Sequence, residues 1–196
     1  MPGRSRTLSS ATPADVRVSV GRFIVWRESD RRFLVLAAAL AIVLGVLVST
    51  FYVVFTTTRV SGPSMEPALY HGDRLLLTRS YDDPRRGDIV SATVPDEIGR
   101  PTDVIKRVVA LPGDTVEIVG DSAYVNGALV AGSPTDAGAG IRTAPLVVPE
   151  RSVYLLGDNR PVSYDSRIIG PVPVTSVDGV AVAIIAPLHR FSIMDR

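Results

Sequence analysis

FLVLAAALAIVLGVLVSTFYVVF, residues 33–55, is a run of 23 positions without a charged side chain, interrupted only by Gly45, Ser49 and Thr50. As a helix rising 1.5 Å per residue it would reach ~34 Å, enough to cross a ~30 Å hydrocarbon core with some tilt. A helix buried in a soluble core would show a polar face over such a length. A cleaved secretory signal would have an apolar run of ~7–15 residues behind a short basic start, followed by a small-residue cleavage site. Here 32 residues precede the run, and the TTTRV segment at 56–60 offers no such site. The stretch is therefore read as an uncleaved signal anchor. It divides the chain into a tail (1–32), a transmembrane helix (33–55) and an outer domain (56–196).

The flanks set the orientation. Residues 1–32 carry seven arginines against Asp15, Glu28 and Asp30, a net of +4, whereas residues 33–196 carry 14 basic and 17 acidic side chains, a net of −3. The positive-inside rule puts the tail in the cytoplasm and residues 56–196 outside the cell membrane. Residues 1–20, rich in Ser, Pro and Arg, read as a disordered tail. Elsewhere 46% hydrophobic and 21% charged residues exclude global disorder, and the mean hydropathy of +0.25 agrees with an anchor in the lipid bilayer. The absence of cysteine excludes a disulfide framework, a thiol nucleophile and a Cys-based zinc site. His71 and His189 lie 118 residues apart with no HExxH, which excludes a zincin. No cofactor or metal is expected, and a net charge of +1 gives no case for nucleic acid.

Beyond Phe55 the pattern changes to short apolar runs punctuated by Gly, Pro and Asp. Leu75–Thr78, Ile89–Val94, Val104–Leu111, Val116–Val119, Ala123–Val125, Val153–Leu156 and Val180–Ile185 read as strands. Gly120-Asp121 and Asn126-Gly127 suit hairpin turns that need positive φ. No stretch after residue 56 sustains helical periodicity over ten residues. The outer domain therefore reads as mainly β, of barrel or sandwich type, with a mobile small-residue loop at 131–145.

Without thiols, a nucleophile must be a hydroxyl. Ser64 stands in Ser61-Gly62-Pro63-Ser64-Met65-Glu66-Pro67, where Gly and two prolines fix a tight turn able to present one hydroxyl and its own N–H. The alternative is a polar loop that happens to hold two serines. A base is then needed. His71 and His189 are candidates, though solvated or capping roles are commoner for such residues. Lys106 is a stronger candidate: it is the single lysine beside 20 arginines, and alternation places it on the face of Val104 and Val108, toward the core. At an ordinary lysine pKa of ~10.4 only about one molecule in 10³ is neutral at neutral pH, an occupancy penalty of roughly 4 kcal/mol. Burial removes part of that, and arginine cannot substitute because it stays protonated. A retained lysine with a packed stem and a solvated head is the competing account. A third cluster, Gly157-Asp158-Asn159-Arg160-Pro161-Val162-Ser163-Tyr164-Asp165-Ser166-Arg167, follows a strand. Asp165 and Arg167 could pair with Ser163 on the same side, either as a surface ion pair or as a support that orients the base.

Together these segments resemble bacterial type I signal peptidases, membrane-anchored Ser/Lys proteases that cleave signal peptides from exported preproteins. SGPSMEPAL at 61–69 is similar to the family's nucleophile segment, GDIV at 87–90 to its next strand, VIKRVVALPGD at 104–114 to its lysine segment, and GDNRPVSYDSR at 157–167 to its last. The resemblance implies a β-rich catalytic domain with Ser64 as nucleophile and Lys106 as general base. It implies that Ser163 holds the Lys106 amine and that Asp165 and Arg167 form a supporting pair, within a segment that includes Asp158 and Asn159. It also implies substrates with small residues at the first and third positions before the cut. Some members carry a serine where this chain has Gly62, so the oxyanion donors implied here are the Ser64 N–H together with Ser61 or the backbone at Gly62. The short stretch between Asp114 and Gly157 implies that the extra β-domain of larger members is reduced to a hairpin and loop. Two other readings compete: a self-cleaving Ser/Lys peptidase, which is usually soluble and DNA-binding, and a non-catalytic membrane-anchored β-domain acting as a scaffold or degenerate paralogue.

Overall fold

The computed structural model describes residues 28–80, 83–130 and 142–194. The tail at 1–20 and most of the basic flank lie outside the described residues. Helix α1 (Glu28–Val54) covers the apolar run, and its 24 residues Arg31–Val54 are long and apolar enough to cross a membrane. From Arg31 to Val53 every residue of the helix is exposed. Phe55, the last residue of the apolar run, already belongs to a strand. The chain leaves the helix at three consecutive threonines, whose branching at Cβ favours extended backbone. The chain falls into two compact units, one ending at Leu44 and the other beginning at Gly45.

Among the described residues the second unit is mainly β, as expected. It contains β1 (Phe55–Arg59), β2 (Arg74–Thr78), β3 (Ile89–Pro95), β4 (Pro101–Ala110), β5 (Thr115–Val119), β6 (Ser122–Val125), β7 (Ala128–Leu129) and β8 (Leu146–Val147). The later strands are β9 (Ser152–Leu156), β10 (Val172–Pro173), β11 (Val177–Ala186) and β12 (Ser192–Ile193), with a short α-helix, α2 (Ser166–Ile169), and 3-10 turns at Arg160–Val162, Val174–Ser176 and Leu188–Arg190. The larger sheet runs β1-β2-β11-β3-β4-β9-β10 with β12 on β11, and every pairing is antiparallel. The smaller sheet runs β7-β6-β5-β8. It exceeds the hairpin and loop implied for this stretch, because two-residue strands pair on either side of the β5–β6 hairpin.

Strand alternation, with a register shift in β4 between Val108 and Ala110, sorts the core. Val90, Ala92, Val94, Val108, Leu155 and Val180 close one cluster of the larger sheet. Val109, Ala110, Tyr154 and Leu156 turn the other way and meet Val116, Ile118, Ala123 and Val125 of the smaller sheet. A third cluster joins Val60, Met65 and Leu69 to Leu75, Leu77 and Ile184, so the segment after β1 is anchored by its apolar side chains. Leu155 and Leu69 are fully buried, and truncating such a residue to alanine typically costs about 2–5 kcal/mol. The two turns read from the sequence take positive φ at Gly120, Asn126 and Gly127. Of the 131–145 loop, residues 131–141 lie outside the described residues, while Arg142 bridges to Val119 and Thr143 exchanges hydrogen bonds with Ile118.

Candidate active site

Ser64 sits in the turn that links β1 to β2. Gly62 takes φ +85°, a left-handed conformation suited to glycine. Met65 and Leu69 pull the far side of the turn into the core, leaving Ser64 half-buried. Lys106 is the cross-strand partner of Val90 in the β3–β4 ladder, and only 4% of it is exposed. Its Nζ lies 2.9 Å from Ser64 Oγ and 3.0 Å from the Ile105 carbonyl, which accepts from it. Burial pushes the Lys106 pKa below the ordinary lysine value, while the Asp165 and Asp158 carboxylates pull it back up less strongly. A hydroxyl in hydrogen-bond contact with an amine whose charged form is disfavoured is equipped for proton transfer.

Behind this pair lies the 157–167 segment. Gly157 is packed so closely that an added Cβ would overlap the Ser163 side chain and come within 2.6 Å of the Ser64 carbonyl oxygen. Only glycine fits there. The Asn159 N–H donates to the Ser64 carbonyl at 3.0 Å, fixing the serine from its other side. Asp165 is fully enclosed and accepts from Gly157 N (3.0 Å), Arg167 Nε (2.9 Å) and Arg167 Nη2 (3.0 Å). Burial alone would raise its pKa, but the Arg167 guanidinium and the Gly157 N–H overcome this and hold the carboxyl below the ordinary value. Asp165 and Arg167 meet because Asp165 is the N-cap of α2, not through strand parity. Arg167 also donates to the Arg160 carbonyl, and Arg160 Nε to the Gly157 carbonyl, so the segment is internally braced.

Ser163 is buried against Gly157, and its hydroxyl has no hydrogen-bond partner among the described residues. The bond to the Lys106 amine implied by the family resemblance is not made in this structure. The hydroxyl lies near enough to Asp165 to help lower that carboxyl without meeting hydrogen-bond geometry. The Gly62 N–H is engaged elsewhere, donating to His71 Nδ1 at 3.1 Å. Ser61 is exposed. His71 therefore braces the serine turn through the backbone, and both His71 and His189 line one cavity that does not include Ser64 or Lys106. No cluster of side chains suited to a metal occurs among the described residues.

Two contacts escaped the sequence reading. Arg107, next to Lys106, grips Asp158 bidentately at 2.8 and 2.7 Å and donates to the Gly87 carbonyl at 2.8 Å. Arg190 Nε lies 2.9 and 3.1 Å from the Asp73 carboxylate oxygens, tying the chain's end to the segment after Ser64. Both join residues far apart in sequence, and only an abundance of arginine hinted at them.

A family model described as signal peptidase, peptidase S26, matches residues 32–186. The chain is 34% identical over 167 residues to the probable signal peptidase I-2 of Synechocystis sp., covering 79% of this chain and 72% of that one. It is 33% identical over 167 residues to signal peptidase I V of Bacillus subtilis strain 168, covering 76% and 96%. A crystal structure of a signal peptidase I from Enterococcus faecalis V583 aligns with a TM-score of 0.42 at 34% identity, over 52% of this chain and 98% of that one.

Proposed function

The chain belongs to the signal peptidase family, peptidase S26, and from that membership we propose a membrane-bound serine endopeptidase that removes signal peptides from exported preproteins with a Ser64–Lys106 dyad. The observation that carries the dyad is the 2.9 Å approach of a buried lysine amine to Ser64 Oγ. Neutral Lys106 uses its lone pair to take the Ser64 proton while one of its own hydrogens stays on the Ile105 carbonyl. Ser64 then attacks the scissile carbonyl. The Ser64 N–H, which has no acceptor among the described residues, stabilises the oxyanion together with a second donor. The Gly62 N–H is disfavoured for that part because His71 holds it, which leaves Ser61. Lys106 passes its proton to the leaving amine and later activates the deacylating water. Asp165, Arg167 and Ser163 act by packing and orientation, with Asp158 and Asn159 fixing the strand and turn on which the dyad rides.

In this reading residues 33–55 anchor the protein in a bacterial cell membrane, residues 1–32 are cytoplasmic, and residues 56–196 form the extracytoplasmic catalytic domain. Small residues at the first and third positions before the cut follow from the family resemblance. The decisive experiment combines turnover of a fluorogenic signal-peptide substrate with labelling by a serine-acylating inhibitor. Both should disappear in Ser64→Ala, whereas a non-catalytic scaffold would show neither in the wild type. Protease added to spheroplasts should digest residues beyond about 60, and protection of that domain would reverse the orientation.

A further inference from the structure

A cavity of about 840 Å³ opens where the end of β1 meets the start of β2 and the C-terminal end of β11. Its wall is cationic. Arg59 and Arg74 are direct cross-strand partners in the β1–β2 ladder, and both line the cavity. Like charges placed directly opposite one another destabilise a strand pair, so the arrangement is unfavourable until an anion lies between them. Neither arginine has a carboxylate partner among the described residues. His71 and His189 extend the same wall. The one carboxylate in the lining, Asp73, is already saturated by Arg190 Nε at 2.9 and 3.1 Å and by the Tyr70 N–H at 2.9 Å.

We propose that this cavity binds a phosphate-type oxyanion between the guanidinium groups of Arg59 and Arg74, with His71 and His189 beside it. Guanidinium forks bind phosphate oxygens bidentately. Two opposed forks can address different edges of a tetrahedral group, whereas a planar carboxylate offers one edge. Dissolved inorganic phosphate and the headgroup of an acidic phospholipid carry the same chemistry. The site includes neither Ser64 nor Lys106, its wall being tied to the serine turn by the Gly62–His71 hydrogen bond, and does not depend on the peptidase reading.

The test uses the full chain. In neutral-detergent micelles its thermal unfolding is followed against inorganic phosphate, with chloride at matched ionic strength as reference. In parallel, unfolding is compared in nanodiscs of phosphatidylcholine alone and with added phosphatidylglycerol. A ligand that binds only the folded state raises the unfolding temperature saturably. Saturation by inorganic phosphate identifies the dissolved ion, stabilisation confined to phosphatidylglycerol discs identifies the lipid, and either supports the site. The double variant Arg59→Gln/Arg74→Gln should lose about tenfold or more in apparent affinity. Arg59→Lys/Arg74→Lys should keep part of it, separating lost charge from misfolding. Indifference to both phosphate and phosphatidylglycerol, or a glutamine variant that responds like the wild type, overturns the proposal.

Discussion

Two of the molecule's buried charges, Asp165 and Lys106, are treated differently. Asp165 is enclosed with a full set of donors: the Gly157 N–H, the Arg167 N–H and two guanidinium nitrogens. Lys106 is almost as enclosed, yet its amine meets one hydroxyl and one carbonyl. The first environment favours the ionised form and the second disfavours it. A saturated buried charge is a structural fastening. An undersaturated one is left ready to change its protonation, which is where reactive groups tend to be found.

The largest effect expected of this contrast falls on activity at Lys106. Lys106→Arg should be nearly as inactive as Lys106→Ala, each losing at least about a thousandfold in kcat/KM, because a guanidinium does not shed its proton at any working pH. A kinetic assay on the signal-peptide substrate reads this directly. An arginine variant within about tenfold of wild type, ~1.4 kcal/mol of transition-state stabilisation, would make Lys106 a structural cation and return attention to His71 and His189.

At Asp165 the expected loss is in stability. Asp165→Asn leaves the Arg167 guanidinium without its buried counter-charge, and urea unfolding should show a loss of about 3 kcal/mol. A loss below ~1 kcal/mol would class the pair with exposed ion pairs and erase the contrast.

The two groups should also respond to pH with separate signatures. Lys106 has a folded pKa below its unfolded one, so between the two values the unfolded chain binds more protons and stability rises with pH. The kcat/KM profile should rise through that same lowered pKa, below the ordinary 10.5. The Asp165 contribution is present above the unfolded carboxyl pKa and is lost as pH falls through the depressed folded value. Unfolding free energies measured across pH should lose the alkaline rise in Lys106→Met and the acidic fall in Asp165→Asn. Persistence of either slope in its own variant would assign the titration to another group.

Ser163→Ala should have the smallest effect. Its buried hydroxyl has no hydrogen-bond partner among the described residues, so removing it should change stability by less than about 1 kcal/mol, toward gain. The rate should fall less than in either dyad variant. A collapse in kcat to the level of Lys106→Ala would mean that Ser163 engages the amine once substrate is bound.

Long strands with clear alternation were legible before the fold was known, since β3, β4 and β11 carry enough apolar positions to declare a face. The two-residue strands β7, β8, β10 and β12 were not, because pairing in the folded sheet defines them and no local pattern does. β1 was hidden by its neighbour: three β-branched threonines follow the apolar run without a break, and the run drew the reading to itself. At the site, the rigid serine turn and the lone lysine marked which groups could carry chemistry. Their approach across 42 residues is a product of the fold. The Arg107–Asp158 clasp and the close packing at Gly157 could not be read, because the register between β4 and the 157–167 segment is written in no local pattern.

The bond between Arg190 and Asp73 spans 117 residues, and it imposes an order in time. A chain made from its N-terminus produces the Ser64 turn soon after the helix. Yet β2 has β11 as its inner neighbour in the sheet, and among the described residues Asp73 receives its guanidinium from Arg190. Until β11 and Arg190 arrive, the turn has an open edge on one side and an uncompensated carboxylate on the other. A protein truncated before β11, at about residue 176, should therefore carry every residue of the Ser64–Lys106 pair and still lack their arrangement. The serine turn is among the first parts of the domain to be synthesised and among the last to be fixed.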